Sequence, residues 1–578
     1  MAGQTIDLEY IISPDKLAVD IANRWREWNT YRSAKIEEWK ELRNYLYATS
    51  TNTTSNRILP WSNTTTTPKL TQIYDNLNAN YIASLFPQQR WMKWEGDTYD
   101  DNTKIKTDAI ESYMYDRTAK SGFKLTVQQL VNDYIQFGNC FGLVDYVDRY
   151  SAKESGEYIK HYSGPKLMRV SPYDIVFNPT ASCFEEAPKI IRSIKTLGQI
   201  KKMSQKTPEL GPILDKMLAT RSATRGEEAT INKAEGFIAD GFSSIQQYYE
   251  SGYVELMTFY GDLYDETSQE LLVNRIITIV DRAYIIENKE NPSWLDHAPI
   301  YHAGWRGRPD NLWAMGPLDN LVGLQYRIDH LENLKADVFD QIAYPILKIQ
   351  GEVDDFDFAP GERIYMGEEG DVGYLVPDAT ALQADLQIQN LENKMEEMAG
   401  APRQAMGIRT PGEKTAFEVQ ALENAAGRIF QKKTEQFEEM FLEPILNAML
   451  EAGRRNMDET VHVASIDPQT GVRTFGDITK EDIVGDGALR PMGARHFAEK
   501  ARRVQNLVQL HQVKVSDPSV AAHISGKEIA RILSEELGEP DLFGENIAIA
   551  EQLETQQAMN DAEAVNQENI AVAEEGGF

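Results

Sequence analysis

The sequence predicts an α+β fold rich in helix, on three observations. Apolar residues recur at three- and four-residue steps over several long stretches, the spacing of helices with one buried face. Shorter runs such as YVELMTFYGDLYD and NRIITIVDR alternate as strands do and are separated by polar residues. Helix then passes into strand through a glycine turn at GNCFG (Gly138 to Gly142), an order that fits α+β and not a doubly wound sheet.

From the front, Pro14 to Tyr47 is expected to form one long amphipathic helix, with Leu17, Ile21, Trp25, Trp28, Ile36, Trp39, Leu42 and Leu46 on its core stripe. Thr49 to Thr67 reads as a Ser/Thr/Asn loop, followed by a helix from Lys69 to Leu85 that Pro87 stops. A helix near Val127 to Phe137 runs into the glycine turn and the strand LVDYV. RVSPYDIVFNP alternates like a strand closed by a turn, and Thr207 to Gly241 reads as a polar surface excursion. Leu318 to Ile342 returns to helical spacing through Leu321, Gln325, Ile328, Leu331, Leu334 and Val338, and Pro345 ends it. Gly351 to Asp378 is short, turn-rich and strand-like, with nine acids against the single base Arg363; a second helix follows from Thr380 to Met398. Thr410 to Glu413 is a capping box with proline at the first helical position, opening a helix of about forty residues that Pro444 should kink. Strand-like VHVASID, a glycine-rich stretch, a helix from Arg495 to Val515 and a shorter one from Gly526 to Leu537 complete the pattern. Glu545 to Phe578 holds eight acids and no Lys or Arg, the composition of a solvated helix or a disordered tail.

Composition narrows the function. The 578 residues carry a formal charge of −30, which argues against a general DNA-coating protein, since such affinity comes from Lys and Arg neutralising phosphates. No apolar run approaches the roughly 18 residues of a membrane span. The opening MAGQTIDLEY has neither basic nor apolar signal character, so no secretory signal is expected. Cys140 and Cys183, the two cysteines, read as thiols in a reducing cytoplasm. GEKT at Gly412 to Thr415 lacks the glycine spacing of a phosphate loop, and HExxH, GxSxG and CxxC are absent. No histidine stands at zinc-ligand spacing; His330 and His496 read as packing or surface residues. Asp354, Asp355 and Asp357 lack calcium-loop spacing and read as solvated surface. Nothing in the sequence points positively to an enzyme, a cofactor or a metal.

The stretches LPWSNTTTTPKLTQIYDNLNANYIASLFP, GNCFGLVDY, VSPYDIVFNP, YGDLYD, WAMGPLDNLVGLQYRIDHLENLKADVF and GIRTPGEKTAFEVQ, in that order, resemble the portal (head–tail connector) proteins of short-tailed bacteriophages. The likeness spans roughly residues 58 to 455. It implies a portal-type fold: 1–317 as wing, 318–343 as stem helix, 344–379 as clip and 380–398 as second stem helix. It further implies 399–413 as tunnel loop, 414–455 as long wing helix, 456–515 as remaining wing and 516–578 as crown and acidic tail. Such a chain would close as a homo-oligomeric ring, a dodecamer, at one capsid vertex of the virion after assembly in the host bacterial cytoplasm. Duplex DNA would pass through it without sequence specificity. The implied partners are the major capsid protein, a scaffolding protein, the terminase large subunit and tail adaptor proteins, with no membrane. The implied channel residues are Arg403, Arg409 and Lys414 of the tunnel loop and the helix after it; the implied docking residues are Asp354, Asp355, Asp357, Glu362, Glu368 and Glu369 of the clip. A wall of acids repels phosphates and lets DNA slide, though acidic surfaces also serve solubility alone. Arg409 has a second reading as an ion-pair partner of Glu413. Two other classes stay open: another structural virion protein such as a tail adaptor or ejection protein, and a metal-dependent hydrolase built on Asp354–Asp357.

Overall fold

The computed structural model describes residues 15–47, 62–87, 91–96, 101–152, 158–206, 210–224, 252–265, 269–295, 297–356, 363–375, 379–399, 429–457, 460–466 and 473–493, with 507, 510 and 556 singly. Helix and antiparallel strand are both abundant, in the α+β arrangement expected. The chain divides into two compact units: residues 1–89, 117–456 and 489–491 form one, and 90–116, 457–488 and 492–578 the other.

The first unit is built around two antiparallel sheets. Strands Ile175–Phe177, Lys189–Thr196, Tyr253–Asp265, Glu270–Val280 and Tyr284–Glu290 pair in sequence order as a five-stranded meander. Asn139–Ala152 is the centre of a three-stranded sheet, flanked by Tyr158–Val170 and Ile300–Gly304. The glycine turn works as the sequence requires. Gly138 caps the Phe123–Phe137 helix at φ 69°, and a Cβ there would stand 2.3 Å from the Gly316 nitrogen, so only glycine fits.

Where one helix was expected over Pro14 to Tyr47, two are found, Lys16–Tyr31 and Ser33–Leu46. Arg32 breaks the run. Its guanidinium is buried, donating to the carbonyls of Pro172 (2.5 Å), Tyr173 (2.6 Å) and Ile175 (2.7 Å) and to Asn29 Oδ1, and it lies over the Trp25 and Trp313 rings. Three carbonyls satisfied at once outweigh one lost helical bond. The Ala18, Ile21 and Trp25 face of the first helix packs on Ile190, Phe259 and Ile277 of the meander. Trp39 of the second enters a cluster of Phe137, Phe141, Phe177 and Trp313.

The polar excursion expected over Thr207 to Gly241 is corrected for residues 210–224. They form the helix Leu210–Thr224, with Met217 buried in a cluster that includes Val254 and Tyr284. Arg221, also buried, holds Asp281 through two bonds of 2.7 and 2.9 Å and donates to the Tyr253 carbonyl at 2.6 Å. Next to it Arg282 pairs with buried Glu255 at 2.8 Å. The preceding helix, Leu197–Lys206, was not anticipated.

Near Pro444 the distortion takes the form of a π-helical turn, Glu438–Leu442, joining helical residues 429–437 to the helix Glu443–Asn456. The Glu443 N–H reaches back five residues to the Glu438 carbonyl, just before the proline that lacks a donor. Phe441 and Ile445 pack over Gly142 of the three-stranded sheet, where a Cβ would meet them at 3.1 and 3.2 Å.

In the second unit, strand Met92–Gly96 lies against the early part of the helix Asp101–Ser121, which continues into the first unit. The Tyr115 hydroxyl donates to the Met92 carbonyl and accepts from its N–H, and Glu111 accepts from the Trp94 N–H at 2.9 Å. Val461–Ile466 pairs with Arg473–Ile478 as an antiparallel hairpin. The expected helices over 495–515 and 526–537, and the acidic tail, lie outside the described residues apart from 507, 510 and 556.

Candidate functional site

A pair of helices in the first unit carries exposed apolar side chains, among them Phe339 and Leu386. Val322–Ala343 and Asp385–Ala399 pack side by side, burying Ile328, Leu331 and Val338 on one and Ile388, Met395 and Ala399 on the other. Lys335 ties them by pairing with Asp385, and Glu332 on its own helix stands 3.5 Å from the same ammonium. Pro345 stops the first helix, and Tyr344 before it leaves the helical region (φ −124°, ψ 72°), as the residue preceding a proline prefers to. The Lys69–Glu396 pair, 2.7 Å and almost fully buried, ties the second helix to Lys69–Leu85.

One face of Val322–Ala343 grips an extended strap by its backbone. Asp337 accepts from the Asn63 N–H at 2.6 Å, Asn333 both accepts from and donates to Thr65, and Asp329 accepts from the Thr67 N–H at 3.0 Å. Gln325 donates to the Thr67 carbonyl at 2.6 Å and accepts from the Leu70 N–H at 3.1 Å. The match is geometric. Four helical residues rise about 6 Å and two extended residues about 6.6 Å, so each helical turn meets every second strap residue. Gln325, counted in the apolar stripe by its spacing, is fully buried as a polar partner.

Between the two helices the chain makes a two-stranded ribbon. Ile346–Gln350 pairs antiparallel with Asp371–Leu375, and the ribbon continues through the Val353–Met366 bridge and the Asp354 N–H to the Tyr365 carbonyl. Gly351 lies at φ 79° with the Glu369 carbonyl 2.4 Å from where a Cβ would stand. Side chains alternate across the ribbon: Ile346 and Leu375 share one face, while Ile349 and Tyr374 share the other, and all four are exposed. Tyr365 and Met366 extend the exposed set, and Tyr344 at its root is 83% exposed. Among the described residues no third strand pairs with either edge.

Four of the acids read from the sequence as docking residues fall on this ribbon. Asp354 and Asp355 are exposed beyond the bridge, and Glu368 and Glu369 are exposed on the turn where the Gly367 N–H donates to the Glu352 carbonyl. The structure therefore brings these four onto one projection. Asp357, Glu362 and the channel residues Arg403, Arg409 and Lys414 lie outside the described residues. No cluster of three metal-ligating side chains occurs among the described residues, and no described helix is long and apolar enough to cross a membrane.

Ionisable groups buried elsewhere in this unit serve the core. Burial, with Lys189 nearby, lowers His302 to about 3, so its imidazole is neutral; it stacks on Phe141 at 4.8 Å and its Nε2 lies 3.0 Å from Asn139 Oδ1. Because the Ala314 N–H also donates to that oxygen, His302 Nε2 carries the proton. Burial raises Asp133 to about 6 against the opposing pull of Arg169, which holds it by bonds of 2.6 and 2.7 Å. Burial pushes the Cys140 thiol well above its usual range.

Sequence reasoning missed two features. The Gln325, Asp329, Asn333, Asp337 ladder was legible as polar residues four apart on an otherwise apolar helix face. A cation cluster around Trp305 was not, because its members lie far apart in the chain. No protein-family model matches this chain, and no curated protein matches it.

Proposed function

We propose that this chain is a phage portal protein: a ring-forming, non-catalytic channel subunit at one capsid vertex, through which duplex DNA is packaged, held and released. The observation that carries the reading is the ribbon. A two-stranded ribbon is marginal in water by itself, and this one exposes apolar side chains on both faces and, among the described residues, has no partner strand on either edge. One partner surface covers one face. Two faces call for two neighbours, and a subunit that contacts its neighbours through different surfaces makes a heterologous interface, which closes as a ring when the rotation allows. The helix pair then serves as stem and the ribbon as clip, with its acids turned to basic surfaces of the terminase large subunit and later of tail adaptors, where charge sets encounter rate more than affinity. The major capsid and scaffolding proteins would meet the outer parts.

Light scattering and particle imaging of the purified chain test this. A closed ring many times heavier than 65.5 kDa is expected. Ile349→Asp with Tyr374→Asp, which places charge on one exposed face without touching the buried core, should shift the population to small species. Only monomer or dimer from the wild type under all salt conditions would refute the reading.

A further inference from the structure

In a chain with thirty more acids than bases, two cations lie on one tryptophan ring, and each has a further cation one or two residues away in the chain. Trp305 is buried, and its indole N–H donates to the Tyr81 hydroxyl at 3.1 Å, which fixes the ring. The Arg306 guanidinium lies 5.1 Å from the ring centroid, and the Lys433 ammonium lies 4.9 Å from it and donates to the Trp305 carbonyl. Two cations are thus held on one aromatic ring by cation–π attraction. Arg308 is two residues on in the same exposed strand, Arg306–Arg308, which pairs with Asn311–Met315 as a small hairpin. Lys432 is exposed next to Lys433 on the helical residues 429–437.

None of the four has an ion-pair partner among the described residues, although Asp310 and Glu435 stand close in sequence. Burial lowers Lys433 from its ordinary range, and the charges of Arg306 and Lys432 lower it further, so the cations repel one another. Mutual repulsion is unfavourable for the free chain, and an external polyanion relieves it. Trp305 is too buried to stack on a base, so recognition falls to charge and guanidinium hydrogen bonds, the chemistry that reads phosphate and not sequence.

We infer that Arg306, Arg308, Lys432 and Lys433 form a binding site for the phosphate backbone of duplex DNA. The site lies within one chain, so it goes beyond the ring reading and stands whether or not the subunit closes a ring. It is also separate from the loop arginines named from sequence. A site of this kind binds weakly, releases readily in salt and ignores base identity.

The test is fluorescence anisotropy of a labelled 30-base-pair duplex against the full chain, with potassium chloride varied from 50 to 200 mM and light scattering recorded on the same samples. Each phosphate contact contributes about 0.9 to the slope of log affinity against log salt. Arg306→Gln with Arg308→Gln should make the slope about 1.8 units less steep, and adding Lys432→Gln about 2.7 units, with affinity equal for two unrelated sequences. Thermal melts confirm that the variants fold, and Lys201→Gln with Lys202→Gln on an exposed helix is the control for net charge. No duplex binding by the wild type at 50 mM, or an equal loss in the control pair, would overturn the inference. Tighter binding by a labelled peptide of residues 545–578 would overturn it too, making an acidic protein segment the occupant.

Discussion

Replacing His302 with phenylalanine should remove most of one acid-sensitive component of stability. The ring stacks on Phe141 with planes 17° apart, a place phenylalanine can take, while its Nε2–H serves Asn139 Oδ1, which keeps the Ala314 N–H at 2.9 Å when the imidazole is lost. Burial lowers the group to about 3 from an ordinary 6.5, so the folded state binds fewer protons than the unfolded one between those values. His302 therefore contributes stability that is whole above pH 6.5 and is lost as pH falls towards 3. At pH 5 the unfolded imidazole is almost fully protonated and the folded one almost bare, which amounts to about 2 kcal/mol lost relative to pH 8. Asp133 works the other way: its folded value near 6 exceeds the usual 3.8, so it favours the fold at low pH and loses that contribution as pH rises through 6. It is common to both proteins and cancels in the comparison. Thermal melts of wild type and His302→Phe at pH 8 and pH 5, followed by near-ultraviolet circular dichroism from the aromatic cluster, measure the difference. The variant should lose clearly less melting temperature on acidification, apart from any constant offset. An identical acid-induced drop in both would refute the reasoning.

Three further outcomes follow from the geometry. Asn333→Ala removes both bonds to Thr65 and should destabilise the strap by about 1–3 kcal/mol, read as faster hydrogen exchange at residues 62–67 with the five-stranded sheet unchanged. Arg221→Met takes the two guanidinium bonds from the buried Asp281 carboxylate and should cost about 3–5 kcal/mol, whereas Arg221→Met with Asp281→Asn should recover much of the loss; thermal melts of the two variants check the contrast. Gly138→Ala puts a Cβ against the Gly316 backbone at a φ of 69° and should abolish soluble expression, while Gly122→Ala, at φ 73° with open space around it, should cost only the backbone strain.

How much of this was legible depended on the range of the cause. The helix Val322–Ala343, the turn-rich ribbon after Pro345 and the capped passage at Gly138 follow from periodicity, proline and glycine, all acting within a few residues. The break at Arg32 could not be read that way, because the carbonyls that draw it out of the helix lie some 140 residues downstream. Leu210–Thr224 looked like a polar loop because it is held by one buried methionine and one buried arginine whose acid is 60 residues away. The ribbon's acids were visible as a run, but their exposure beside Ile349, Tyr365 and Tyr374 needed strand register. The Trp305 cluster unites WRGR with a Lys-Lys pair 125 residues later, and no local pattern links them.

The π turn at Glu438–Leu442 amounts to one surplus residue inside a helix, and it sets a phase. Winding the segment as plain α-helix with that residue kept would rotate one side against the other by about 100°. Phe437, 4.9 Å from Tyr134, would then leave the face it shares with Ile445 and Met449, and Lys433 would swing off Trp305. Substitutions along this helix act one side chain at a time, but loss of the π turn acts on the cation cluster and the aromatic core together. The π turn is therefore what keeps the segment carrying Lys433 and Phe437 in phase with the one carrying Ile445.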